Sequence, residues 1–157
     1  MNYAKGFINA GYEVCLFCDS DVDKVNDEKV GLVQLGATII DAEQDNSLEE
    51  QLFKDLPWDA VGKLVNYAIT ETSEDSINDS FCSKYKKQFQ QEPPLNWREI
   101  DTEQIRLCLG IVSSKNGWFK RIDHGEFLGN IICEYLPDLE GKKIKTEVDN
   151  ISNWIDA

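Results

Sequence analysis

The sequence predicts an α/β fold, in which a short parallel sheet is followed by a helical carboxy-terminal part. Two observations support this prediction. Over residues 1–41, helical segments alternate with short apolar runs rich in strand-forming residues, and such alternation is typical of parallel sheets. From residue 48 onward, apolar residues recur every three or four positions, which is the spacing of a helix with one buried face.

The first part of the chain is predicted to contain two helices and two strands. The helices, over 2–10 and 22–35, are each followed by a glycine, and the apolar runs at 12–18 and 37–41 are predicted strands. Two strands do not form an independently stable sheet, because three or more are normally needed. Either a strand escapes recognition or, as we favour, residues that precede this chain complete the sheet.

The rest of the chain is predicted to be helical. Ser47 and Glu50 form a capping box that opens a helix over 48–56. We expect residues 1–56 to form a partial α/β core and residues 57–157 a helical part of the same domain. Its helices are predicted from apolar stripes at Trp58, Val61, Leu64, Val65 and Ala68; at Ile77, Phe81, Tyr85 and Phe89; at Ile105, Cys108, Leu109 and Val112, capped by Asp101; at Phe127, Leu128, Ile131, Ile132 and Tyr135; and at Ile151 to Ile155.

Composition excludes several classes of protein. The chain has 16 Lys and Arg against 29 Asp and Glu, a formal net charge of -13, so it is unsuited to coating nucleic acid by itself. It contains no apolar run near the roughly 20 residues of a membrane span and no export signal. Its five cysteines are predicted to be reduced, buried thiols of a cytoplasmic protein.

Asp19 and Asp21 come directly after the first predicted strand, where open α/β sheets bind their ligands. Residues two apart on an extended chain point the same way. Two carboxylates about 4 Å apart repel each other by about 4 kcal/mol at an effective dielectric near 20, and a divalent cation removes this repulsion. The pair therefore predicts a Mg²⁺ site; the alternative is a polar turn in which Asp21 caps the next helix.

A second group of acidic residues follows the second predicted strand. Neighbouring parallel strands lie about 4.8 Å apart, so one of these residues is a candidate third metal ligand, although carboxylates also favour the amino ends of helices. They are Asp41, Glu43, Asp45, Glu49 and Glu50.

Lys120 lies between two predicted helices and next to aromatic residues. Such a lysine either stabilises negative charge on a reacting phosphate or is a surface cation with packed neighbours. His124 is the single histidine of the chain and is expected to open the following helix.

Three segments carry a resemblance to a known family. They are Val-Cys-Leu-Phe-Cys-Asp-Ser-Asp at 14–21, Ser-Leu-Glu-Glu-Gln-Leu-Phe at 47–53 and Gly-Trp-Phe-Lys-Arg at 117–121. In this order they resemble the TOPRIM domain of OLD-family (overcoming lysogenization defect) nucleases, ATPase–nuclease proteins of bacteria and phages with members in anti-phage systems. The resemblance implies a partial Rossmann-like TOPRIM domain and an ATP-dependent endonuclease that hydrolyses DNA with Mg²⁺ or Mn²⁺.

The resemblance also implies roles for individual residues. Asp19 and Asp21 match the metal-binding pair, Glu49 an acidic residue that binds metal and acts in catalysis, and Lys120 the lysine near the scissile phosphate. The family's first motif, a strand ending in Glu-Gly, and its amino-terminal ATPase domain would precede Met1. We therefore expect this chain to be a carboxy-terminal portion of such a protein and to be incomplete alone. ATP is expected to act only through the preceding portion, and the chain is a candidate homo-oligomer.

Two other functions are compatible with the sequence. A haloacid-dehalogenase-like phosphatase also places Asp-x-Asp after an apolar strand, with the first Asp as nucleophile. That motif normally continues with Thr or Val two residues later, where this chain has Asp23. The other is a non-catalytic assembly or regulatory module that keeps the fold without the chemistry.

Overall fold

The computed structural model describes residues 2–19, 23–43 and 45–157, without the side chains of residues 23–26. It confirms the predicted α/β fold with a short parallel sheet and a helical part. The elements are α1 (Asn2–Asn9), β1 (Cys15–Cys18), α2 (Asp23–Gln34), β2 (Thr38–Asp41), α3 (Leu48–Asp55), α4 (Trp58–Glu71), α5 (Glu74–Phe89), α6 (Glu103–Asn116), α7 (His124–Tyr135) and α8 (Lys143–Ile155), with short 3₁₀ helices at Trp97–Glu99 and Leu136–Leu139.

The strands β1 and β2 pair in parallel, and in the described ranges the sheet consists of these two strands. The register runs from Cys15 beside Thr38 to Cys18 beside Asp41. Both strands therefore end at the same edge of the sheet. The residues that follow them, including Asp19, emerge at this carboxyl edge.

The chain divides into two compact units, Met1–Leu48 with Gly141–Ala157, and Glu49–Glu140. In the first unit, buried Ala4, Leu32 and Ala37 form a core that packs against half-buried side chains of the sheet. The carboxy-terminal helix α8 contacts β2 in this unit. Several large apolar side chains of the first unit are nevertheless exposed: Tyr3, Phe7, Tyr12, Phe17, Val30, Val33 and Leu35.

The second unit is helical, and most of its predicted apolar stripes are buried. Helices α4, α5 and α6 bury nearly all of the residues predicted for them, whereas Ile131 is the buried member of the α7 stripe. Helices α3 and α6 approach closely at Gly110, where an added Cβ would lie 2.8 Å from the Cα of Glu50. A side chain at position 110 would therefore force the two helices apart.

Some predicted boundaries were wrong. The helix α8 begins at Lys143 instead of Ile151, because buried Glu147 interrupts the apolar pattern on its inner face. Thr102, not Asp101, caps α6 by accepting a 3.3 Å hydrogen bond from the backbone N–H of Ile105.

No helix in the described ranges is both long and apolar enough to cross a membrane.

Candidate functional site

Asp19 lies half-buried at the carboxyl edge, directly after β1. Its Oδ1 accepts a 2.6 Å hydrogen bond from the backbone N–H of Leu48, the first residue of α3. The first amides of a helix have no acceptor within the helix, so this carboxylate satisfies one of them. Each carboxylate oxygen has two lone pairs, and the contact with Leu48 uses one of the four on Asp19.

Lys29 reaches the same edge from the middle of α2. Its Nζ donates a 2.6 Å hydrogen bond to the backbone carbonyl of Asp19 and lies 3.2 Å from Oδ2 of Asp41. Its side chain is 7% exposed, against 36% for Asp41. Burying an ammonium is costly unless it is paired, and the Asp19 carbonyl and the Asp41 carboxylate supply this pairing.

Lys29 was not predicted from the sequence to lie at this edge. Its position relative to Leu32 was the available signal, because residues three apart share a helix face and Leu32 is fully buried. A lysine on the apolar face of a helix that follows a strand indicates a buried cation with an acidic or carbonyl partner.

Cys18 is the partner of Asp41 in the sheet register. Burial raises the pKa of the Cys18 thiol, and the nearby carboxylates of Asp41 and Asp19 add to this effect, whereas the ammonium of Lys29 opposes it. Burial also raises the pKa of Cys15. Since the thiolate is the reactive form, these raised values disfavour redox or nucleophilic chemistry by the cysteines of β1.

The predicted pairing of Asp19 with Asp21 falls partly beyond what the structure covers, because Asp21 lies outside the described residues. Within the described ranges, no group of three or more His, Cys, Asp or Glu side chains is arranged to hold a metal ion. The structure does bring Asp19 and Asp41 to the same edge, with Lys29 contacting both residues.

Glu49 and Lys120 belong to the second unit. Glu49 is half-buried in the first turn of α3, where the helix dipole favours a carboxylate. Lys120 is exposed in the turn between α6 and α7, and its backbone N–H donates to the carbonyl of Gly117 at 3.3 Å. The aromatic neighbours Trp118 and Phe119 are buried and anchor this turn.

A polar cluster near Lys120 was not predicted. His124 opens α7 as expected and is 3% exposed, with its Nε2 3.5 Å from Oε2 of Glu71. Arg121 forms ion pairs with Glu71 and with Asp123, and its guanidinium lowers the pKa of Asp123. Since Glu71 ends α4 and the other three residues surround the start of α7, these contacts connect two helices of the second unit.

Comparison of the chain with protein-family models, with curated proteins and with solved structures gave no match. The functional interpretation therefore depends on the residues and contacts described above.

Proposed function

We propose that this chain is the TOPRIM-type portion of a cytoplasmic, metal-dependent DNA nuclease. The observation that most supports the proposal is the position of Asp19, a half-buried carboxylate at the carboxyl end of a parallel strand. Ligands of open α/β sheets bind at this edge. The hydrogen bond from Leu48 fixes one oxygen of the carboxylate, which pre-orients the group for a cation.

In this proposal Asp19 and Asp21 hold Mg²⁺ or Mn²⁺, and Glu49 supplies a further ligand and takes part in catalysis. Lys120, whose side chain is exposed, stabilises the charge that develops on the phosphate. Asp41 has no ligand role in this proposal, because its Oδ2 lies 3.2 Å from the ammonium of Lys29. Hydrolysis by two metal ions requires carboxylates for each ion, and in this proposal a further TOPRIM portion, covalently joined or on a separate chain, supplies the second set.

In this proposal the further portion also brings the ATPase domain through which ATP acts. The exposed Tyr3, Phe7 and Phe17 of the first unit support such a partner, because burial of exposed apolar side chains favours association. Association of two such chains is the other way to cover these side chains.

Nicking of supercoiled plasmid with Mg²⁺ or Mn²⁺ tests the proposal. We expect little or no nicking by the 157-residue chain and nicking when the TOPRIM and ATPase portion is supplied, covalently or as a separate chain. In the complemented protein, Lys120→Met should lower the rate by about 10²–10³-fold, the cost of removing one group that stabilises transition-state charge. The same change at Lys142, which is also exposed, is the control in this assay. An equal rate for Lys120→Met and wild type would contradict the assigned role.

The contacts of Asp19 and Asp41 also favour a second candidate, a non-catalytic assembly or regulatory module. Asp19 satisfies a helix amide and Asp41 neutralises a buried lysine, and both roles stabilise the fold without a metal. A module of this kind would not bind Mn²⁺ at Asp19, whereas the nuclease requires that binding.

A further inference from the structure

A basic groove lies between α5 and α6 in the second unit. Its volume is about 290 Å³, and its lining residues include three lysines and no acidic residue. The formal net charge of the whole chain is -13, so the charge of this groove is opposite in sign to the net charge of the chain. The lining residues are Ser80, Ser83, Lys84, Lys87, Val112, Lys115 and Asn116.

The three lysines of this groove, Lys84, Lys87 and Lys115, differ from other lysines of the chain in their partners. Lys63 pairs with Glu134 and Lys86 with Glu92. Within the described ranges, none of the three groove lysines forms an ion pair. Lys86, next in sequence to Lys87, is thus paired with a carboxylate, whereas the lysines that line the groove are not, among the residues that the structure describes.

The helix dipole does not account for this arrangement. Lys87 and Lys115 lie in the last turns of α5 and α6, where cations are favoured, but Lys84 lies outside the last turn. Residues 80, 83, 84 and 87 share one face of α5, and that face is aligned with the end of α6. The result is a row of ammonium groups flanked by hydroxyl and amide groups.

We propose that this groove binds the phosphodiester backbone of DNA. The inference rests on the proposed nuclease function, for which it supplies a substrate-docking surface. Residues 80 to 87 span about 10 Å at 1.5 Å per residue, which is long enough for contacts with successive phosphates of one strand. Lysine ammonium groups contact the phosphates, and the Ser80, Ser83 and Asn116 side chains donate further hydrogen bonds. No base edge is read, so binding is independent of sequence.

The test is a titration of the ¹⁵N-labelled 157-residue chain with a 12-base-pair DNA duplex in EDTA, followed by NMR. This method detects the weak binding expected of a chain whose net charge is -13. We expect the largest shifts for amides of residues 80–87 and 112–116. If the three lysines contact three phosphates, a plot of the logarithm of the affinity against the logarithm of the salt concentration should have a slope of about -2.7.

The variant Lys84→Gln/Lys87→Gln/Lys115→Gln should bind at least about tenfold more weakly, with a slope close to zero, because each lost phosphate contact lowers the slope by about one. The matched control is Lys63→Gln/Lys86→Gln/Lys145→Gln, which removes the same charge from lysines that form ion pairs. Equal weakening in both variants, or no binding by wild type, would overturn the proposal.

The metal-free condition separates this proposal from the nuclease function. Groove binding without Mn²⁺ binding would support the docking surface and contradict the nuclease. Mn²⁺ binding without groove binding would contradict the docking surface alone.

Discussion

Lys29 holds its ammonium 3.2 Å from the carboxylate of Asp41, although the lysine side chain is 7% exposed. The two residues come from α2 and from the last position of β2. The same ammonium donates to the carbonyl of Asp19, so one buried cation connects α2 with the ends of both strands. Its contacts fix the geometry of the carboxyl edge.

Replacing Lys29 should therefore destabilise the first unit. We expect Lys29→Met to lower the free energy of unfolding by about 1.5–3 kcal/mol, the usual contribution of a hydrogen bond to a charged group. Urea denaturation monitored by circular dichroism measures the change. The control is Lys145→Met, since Lys145 pairs with Asp149 at 2.6 Å but is more exposed; we expect a loss of about 0–1 kcal/mol there. Equal losses in the two variants would show that burial of Lys29 has no energetic consequence.

Arg106 stabilises the end of α3 in the second unit. Its Nη1 donates to the carbonyls of Phe53 at 2.9 Å and Leu56 at 2.7 Å, and its guanidinium also pairs with Asp101 and lies over the ring of Trp58. We expect Arg106→Met to cost about 2–4 kcal/mol, because several charge-assisted hydrogen bonds are lost together. The control Arg98→Met also removes an arginine that lies over a tryptophan, but one that binds side chains instead of helix-end carbonyls. It should cost less than half as much.

The Arg106 effect should depend on pH. The hydrogen bond from Arg106 lowers the pKa of Asp101 below its usual value. A carboxyl with a lowered pKa in the folded state stabilises the fold above its unfolded pKa, near 4, and loses this effect as the pH falls through the folded value. The difference in unfolding free energy between wild type and Arg106→Met should thus be largest near neutral pH and smaller below about pH 3. If the difference in unfolding free energy stays constant down to pH 2, the stabilisation by Arg106 comes from its contacts with the backbone carbonyls alone.

The cysteines should react with alkylating agents in an order set by burial. The prediction that all five are buried was wrong, because Cys133 is exposed, while Cys108 is buried and its pKa is raised to about 12. With iodoacetamide at pH 7.5, we expect Cys133 to be modified first and Cys108 only after unfolding. Peptide mass spectrometry identifies the sites. Modification of native Cys108 as fast as Cys133 would contradict the packing of α5 against α6.

The fold was predictable where one local pattern dominated. The alternation before residue 42 and the stripes of α4, α5 and α6 are each set by side chains that pack against one face, so periodicity identified them. The length of helix α8 was underestimated because Glu147 is buried on its inner face. Periodicity cannot distinguish a buried carboxylate from a solvent-exposed one.

The candidate site was only partly predictable. Asp19 follows an apolar strand, and that local feature led to its correct placement at the carboxyl edge. Lys29 was missed because its partners, Asp19 and Asp41, are 10 and 12 residues away and meet it only through the parallel pairing of β1 and β2. Contacts that depend on the register of a sheet are not visible in local sequence.

Asp19 has two separable properties in this account, its charge and its hydrogen bond with Leu48. Asn at position 19 keeps an oxygen that can accept from the Leu48 amide but removes the charge, whereas Ala removes both. We therefore expect Asp19→Ala to lower the free energy of unfolding by about 1 kcal/mol, as for loss of a helix cap, and Asp19→Asn to change it by a few tenths.

Isothermal titration calorimetry with Mn²⁺ on wild type, Asp19→Asn and Asp19→Ala measures directly whether Asp19 binds a metal ion. We expect wild type to bind Mn²⁺ and both variants to lose this binding, although Asp19→Asn keeps the stability of wild type. Binding of Mn²⁺ by Asp19→Asn with the affinity of wild type, or no binding by wild type, would contradict a metal site at the carboxyl edge.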